Sequence, residues 1–128
     1  MTPHSAMQAQ VSEHVLVVNQ IKRSLSSQYN VMTNVDEDLH YVASLFPDLI
    51  VQDKTTLKTL FIIEVKKNGN IAQCIQQWKN IPNIPATLYI IVPESDLQNA
   101  KTIAQVVGLK TRFGSYKIEG ENVTVQYE

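Results

Sequence analysis

Met7, Val11, Val15, Val18, Ile21 and Leu25 recur every three or four residues, the apolar stripe of a helix lying against other structure, so a helix is predicted over about 5–27. Residues 29–35 are short and rich in β-branched side chains, and Asp36, Glu37 and Asp38 close them as a strand. Pro47 opens a second strand at 48–52, a position where proline costs no ladder hydrogen bond. The polar run Asp53-Lys54-Thr55-Thr56 then predicts a hairpin into 57–66. Ile71, Cys74, Ile75, Trp78 and Ile81 mark a second helix by their period, with Pro82 and Pro85 at its exit. Residues 88–92 are apolar without alternation, which predicts a strand covered on both faces. Ser95 and Gln98 have the spacing of a capping box, and the third helix runs to Gly108. Strands at about 111–118 and 123–127 flank Glu119-Gly120-Glu121-Asn122. The predicted order is α-β-β-β-α-β-α-β-β, an α/β chain with no repeat and no long linker, so residues 1–128 form one domain.

Composition narrows the options. With 44% hydrophobic residues, four Gly and five Pro in 128 residues, the chain is neither disordered nor collagen-like, and it is long enough to bury a core without staples. Its single cysteine excludes a disulfide framework. Apolar runs such as 88–92 fall far below the ~20 residues of a membrane span. The opening Met-Thr-Pro-His-Ser lacks the features of a secretory signal, which makes the cytoplasm the expected compartment. A net charge of -1 gives no global footprint for nucleic acid, so any such contact has to come from a local basic surface.

Side chains alternate along a strand, so Leu60, Ile62, Glu64 and Lys66 project one way from the third strand while Phe61, Ile63 and Val65 project the other. Unpaired charge is costly to bury, so Glu64 and Lys66 are expected at a rim or cleft. The hairpin brings Asp48, which precedes Leu49-Ile50-Val51, beside Glu64. Hard carboxylate oxygens in this arrangement suit Mg²⁺, with Mn²⁺ as a substitute, and leave positions for water and a substrate phosphate. Asp48 and Glu64 are therefore candidate metal ligands, with the Val65 carbonyl a further one. Lys66 is placed to orient a water or neutralise developing charge.

Pro47-Asp48, fifteen intervening residues and Glu64-Val65-Lys66 resemble the signature of the PD-(D/E)XK nuclease superfamily. The element order around them, over about 5–93, resembles that superfamily's restriction-endonuclease-like α-β-β-β-α-β core, a mixed central sheet flanked by helices, here followed by a helix and a β-hairpin. The strings Asp48 to Val51 and Ile62 to Lys67 most resemble nuclease domains of type I restriction subunits, and next Holliday junction resolvases. The resemblance implies an Mg²⁺-dependent endonuclease that hydrolyses DNA phosphodiester bonds through metal-activated water. Asp48, Glu64 and Lys66 are then catalytic, and a glutamine on the following helix joins them, Gln77 ahead of Gln73. It also implies a carboxylate on the first helix, for which Glu13 is the one acidic residue; Asp36 or Glu37 is the alternative. Lys54, Lys58, Lys67 and Lys79, together with Gln73, are candidate nucleic-acid contacts.

Two cuts on a duplex or junction need two sites, so a homodimer or partner subunits are expected. RNA stays open as a substrate beside DNA. The alternative from another class is a catalytically inactive nuclease-fold module for DNA binding or assembly. His4, His14 and His40 have no metal-ligand spacing and are expected at the surface or its boundary. Cys74, on an apolar stripe, is expected to be a small buried thiol, and Trp78 a core residue. No phosphate-binding loop is present, so no nucleotide cofactor is expected.

Overall fold

A computed structural model describes residues 12–34, 40–42 and 45–128. The elements are α1 (Glu13–Leu25), β1 (Tyr29–Thr33), β2 (Leu49–Asp53), β3 (Thr59–Val65), α2 (Ile71–Lys79), β4 (Thr87–Pro93), a 3₁₀ turn (Glu94–Asp96), α3 (Leu97–Val107), β5 (Arg112–Glu119) and β6 (Asn122–Tyr127). The six strands form one mixed sheet in the order β1-β2-β3-β4-β5-β6. β3 and β4 are parallel, as are β4 and β5, and the other neighbours are antiparallel. Parallel neighbours need a crossover, and α2 and α3 supply the two.

Each sheet face carries its own core. Ile50, Ile62, Leu88, Ile90 and Val92 pack against Ile71, Cys74, Ile75 and Trp78 of α2 and Ala100 and Ala104 of α3. Leu49, Val51, Ile63, Val65 and Ile91 pack on the other face against Val17, Val18 and Ile21 of α1. The central strands are thus covered twice, which is why 88–92 is apolar without alternation.

Several boundaries differ from the sequence reading for local reasons. α1 starts at Glu13, because Ser12 is extended there and its hydroxyl accepts the Val15 N–H. The earlier part of the predicted helix lies outside the described residues, as do Val35, Asp36, Glu37 and Asp38. Asp48 stands outside the β2 ladder, its N–H bonded to the Glu64 carboxylate. β3 begins at Thr59 rather than at residue 57, since Leu57 is held at φ 58° in the turn. That turn is built by the Asp53 carboxylate, which accepts the N–H groups of Thr55 and Thr56. Val51 faces Phe61 and Gln52 faces Thr59, leaving Leu60 with no opposite residue. No capping box forms: Ser95 lies inside the 3₁₀ turn and α3 starts at Leu97 without a side-chain cap. Asp96, just before it, instead accepts the Asn68 N–H. Gly108 does end α3, in the left-handed conformation, with its N–H and that of Leu109 returning to the Ala104 carbonyl.

Gly114 in β5 marks a close approach between strands. A β-carbon there would lie 2.5 Å from Ile91 Cδ1 and 2.8 Å from the Gln126 carbonyl oxygen. Gly114→Ala is expected to cost about 1–3 kcal/mol through overpacking, read as a lower urea midpoint at unchanged slope. A midpoint equal to wild type would show that β5 and β6 move apart freely.

Candidate functional site

The ladder between β2 and β3 ends at Leu49 and Ile63, and one residue further on side chains take over the pairing. The Asp48 N–H donates to Glu64 Oε1 at 3.0 Å, and Asp48 Oδ2 accepts the Val65 N–H at 2.7 Å. The chain before Asp48 is pinned by Asn34, whose amide donates to the carbonyls of His40 and Pro47 while its oxygen accepts the His40 N–H. Lys66 reaches both acids, with Nζ 3.4 Å from Asp48 Oδ2 and 3.9 Å from Glu64 Oε1. The predicted convergence of Asp48, Glu64 and Lys66 on one spot is therefore present.

Two further elements close the cluster. From α1, His14 Nε2 lies 3.0 Å from Asp48 Oδ1, a contact the spacing of the three histidines gave no reason to expect. From α2, Trp78 Nε1 donates to Glu64 Oε2 at 2.8 Å, and the Cys74 thiol lies 3.8 Å from the same oxygen. Cys74 and Trp78 are buried core residues as predicted. One helical turn apart, they are the residues α2 turns toward Glu64. Gln73 and Gln77 are exposed on that helix, and the glutamine contact expected of α2 is made by these two instead.

Glu13 lies at the first position of α1, and its carboxylate accepts the Tyr116 hydroxyl at 2.6 Å. It faces a cavity of about 220 Å³ that Val65, Lys66, Lys67 and Asn70 also line. Glu13 thus borders the site across this cavity, while the direct α1 contact with Asp48 belongs to His14. Lys67 is exposed beside Lys66. The other predicted phosphate contacts are elsewhere. Lys54 and Lys58 flank the turn that joins β2 to β3, whereas the carboxylates sit at the open end of the same hairpin. Five strand residues, about 17 Å, separate the two ends. Lys54 there donates to the Ser27 carbonyl. Lys79 donates to the Gly108 carbonyl and lines a different cleft, of about 710 Å³, with Lys110 and Arg112. That cleft is larger, but among the described residues it is lined by no carboxylate, histidine or cysteine.

The two acids are buried, 8% and 4% exposed, and burial acts against both charges. At Asp48 burial is outweighed by the His14 hydrogen bond, the Lys66 charge and the Val65 N–H, so its carboxyl titrates below the usual range. At Glu64 burial, reinforced by the negative charge of Asp48, outweighs Lys66 and the Trp78 N–H, and the carboxyl is pushed up to about 7. Burial pulls Lys66 down, but Asp48 and Glu64 overcome it and hold the ammonium above its ordinary value. Lys66 is thus a fixed cation and hydrogen-bond donor, and a poor base. Burial, then Glu64, pushes the Cys74 thiol far up, so it is no nucleophile.

Among the described residues, no three His, Cys, Asp or Glu side chains are arranged to hold a metal ion. Mg²⁺ often takes only one or two carboxylates and fills its octahedron with water and phosphate. Asp48 Oδ1 and Glu64 Oε1 each accept one close hydrogen bond, from His14 and from the Asp48 N–H, which leaves each a lone pair. Two buried acids, one of them with its pKa raised to about 7, share the Lys66 ammonium. Asp48 and Glu64 offer two carboxylates of this kind, with no third such ligand grouped with them among the described residues. No protein-family model, curated protein or solved structure matches this chain, so its functional reading rests on this geometry.

A carboxyl whose folded pKa is raised binds its proton more tightly in the folded state, so Glu64 costs stability as pH rises from about 4.5 toward about 7. Asp48 has the opposite sign: its stabilisation is present above the ordinary carboxylate value and is lost as acid protonates it. With EDTA present, stability is expected to fall by roughly 1–3 kcal/mol between pH 5 and 8, and Glu64→Gln should flatten this slope. A slope unchanged in the variant would mean that Glu64 is not the group responsible.

Proposed function

We propose that the chain is a divalent-cation-dependent nuclease with a restriction-endonuclease-like core, which hydrolyses DNA phosphodiester bonds at Asp48, Glu64 and Lys66. The observation that carries this reading is the convergence of two buried carboxylates from adjacent strand ends on one ammonium, within 4 Å of Lys66 Nζ. The run from α1 through β4 also keeps the α-β-β-β-α-β order of the PD-(D/E)XK resemblance, and α2 offers an aromatic residue, Trp78, to the site. The thiol of Cys74 stands one turn before it, where that resemblance leads one to expect a glutamine.

Asp48 and Glu64 would hold Mg²⁺ or Mn²⁺, with the Val65 carbonyl as a further ligand. When bound, such an ion supplies charge neutralisation at a phosphate and lowers the pKa of a coordinated water. Lys66, kept protonated by its neighbours, donates to the phosphate or the attacking water and offsets charge that develops in the transition state. His14 fixes the Asp48 carboxylate from α1, and Trp78 fixes that of Glu64 from α2, so neither acid has to reorient when substrate arrives. Lys67 adds an exposed positive charge beside the site. Two such sites, in a homodimer or with partner subunits, would serve a duplex or junction substrate.

A second reading has its own support. Every buried polar side-chain atom among the described residues has a hydrogen-bond partner, so the cluster is also self-consistent as the ionic core of an inactive DNA-binding or assembly module. The two readings separate on plasmid nicking. Wild type is expected to nick supercoiled DNA with Mg²⁺ or Mn²⁺ and not with EDTA. Lys66→Ala should lose roughly 10²–10³-fold in rate while staying folded by circular dichroism. A wild type as inert as the variant on duplex, junction, flap and single-stranded DNA would leave the binding module standing. RNA substrates in the same assay decide the nucleic-acid class, since metal-assisted hydrolysis does not depend on the 2′-hydroxyl.

A further inference from the structure

The chain entering the site presents an aromatic pair that the cluster does not use. Val42 and Leu45 exchange two backbone hydrogen bonds of 2.9 Å, forming an isolated antiparallel bridge. Their side chains turn into the core on the α2 side of the sheet. Successive side chains of an extended backbone alternate, so the flanking residues Tyr41 and Phe46 turn outward. They are 67% and 44% exposed, with ring centroids 4.3 Å apart and planes tilted by 41°. Asn34 anchors the base of this ribbon at His40 and Pro47. The two rings are thus held outward by a backbone fixed on its other side, and they leave contiguous apolar surface exposed among the described residues.

Their position says what would cover them. Phe46 precedes Asp48 by two residues, so at most about 7 Å separates their α-carbons, the span of roughly two stacked nucleotides. Lys66 is bonded to Asp48, and Lys67 follows it. Aromatic faces two residues along the chain from the acid that Lys66 pairs with match a single-stranded nucleic acid, whose bases are free to stack and whose backbone is anionic. A duplex keeps its bases stacked inside and has no free face to offer.

We infer that Tyr41 and Phe46 are a stacking platform for an unpaired nucleobase next to the phosphate held at Lys66, so that the chain selects nucleic acid with single-stranded or unpaired nucleotides. This rests on the nuclease reading for the neighbouring site, and its test therefore measures binding without cleavage. Fluorescence anisotropy in EDTA would compare a labelled twelve-residue oligothymidylate, an abasic oligonucleotide of equal length and a blunt duplex.

The expected order is thymidylate tightest. Tyr41→Ala with Phe46→Ala should weaken thymidylate binding about tenfold or more, leave abasic binding unchanged and leave the melting temperature within a degree or so of wild type. Tyr41→Phe should bind like wild type. Equal affinity of wild type for thymidylate and abasic strands would overturn the platform, and that comparison needs no variant. So would a double variant that loses only concentration-dependent self-association, which would assign the pair to contact with a second copy. Base-selective binding without any metal-dependent cleavage would keep the platform and remove the nuclease reading. Cleavage of single strands unaffected by the double variant would do the reverse.

Discussion

The arrangement depends on one buried exchange of hydrogen bonds between the ends of two strands. Where the β2 and β3 backbones cease to pair, the Asp48 N–H passes to the Glu64 carboxylate and the Asp48 carboxylate takes the Val65 N–H. Each acid satisfies a buried donor that would otherwise be orphaned at high cost. The same exchange holds two carboxylates next to each other in a place from which water is largely excluded. A structural need at the ends of two interior strands and the pairing of the two acids are thus met by the same atoms.

That proximity forces the two acids apart in character. Asp48, with His14, Lys66 and the Val65 N–H around it, holds its negative charge. Glu64, deeper and facing the charge of Asp48, holds its proton up to about neutrality. Two carboxyls whose surroundings drive them in opposite directions are a recurrent feature of reactive sites. At Glu64 burial is the larger cause and the charge of Asp48 the second, and the Lys66 charge and the Trp78 N–H only partly offset them. A divalent cation between the acids would favour the ionised form of Glu64, and that is the physical link from the strand ends to the proposed chemistry.

Much of this could be read in the amino-acid order because it follows from strand periodicity. Alternation set Glu64 and Lys66 on one face, the hairpin brought Asp48 to them, and the run of elements from α1 to β6 follows from apolar spacing and turn residues. What escaped depends on how elements dock. Nothing local says that α1 crosses the sheet with His14 over Asp48 and Glu13 over Tyr116. Helical spacing placed Gln73 and Gln77 at the border of the α2 stripe, but the roll of the helix gives Glu64 to Cys74 and Trp78, inside the stripe. Lys54 and Lys58 share the hairpin of the two acids, but its turn lies at the opposite end from the open strands. Ser95 and Gln98 have capping-box spacing, but a 3₁₀ turn at Glu94–Asp96 displaced the helix start.

The proposed chemistry requires Asp48 and Glu64 to share one divalent cation. Anomalous diffraction from crystals soaked in Mn²⁺ measures this directly. A peak is expected at coordination distance from both carboxylates, beside the Lys66 ammonium and bordering the cavity lined by Glu13 and Tyr116. Crystals soaked to saturation that show Glu64 still bound to Trp78 and no metal density between the two acids would contradict it.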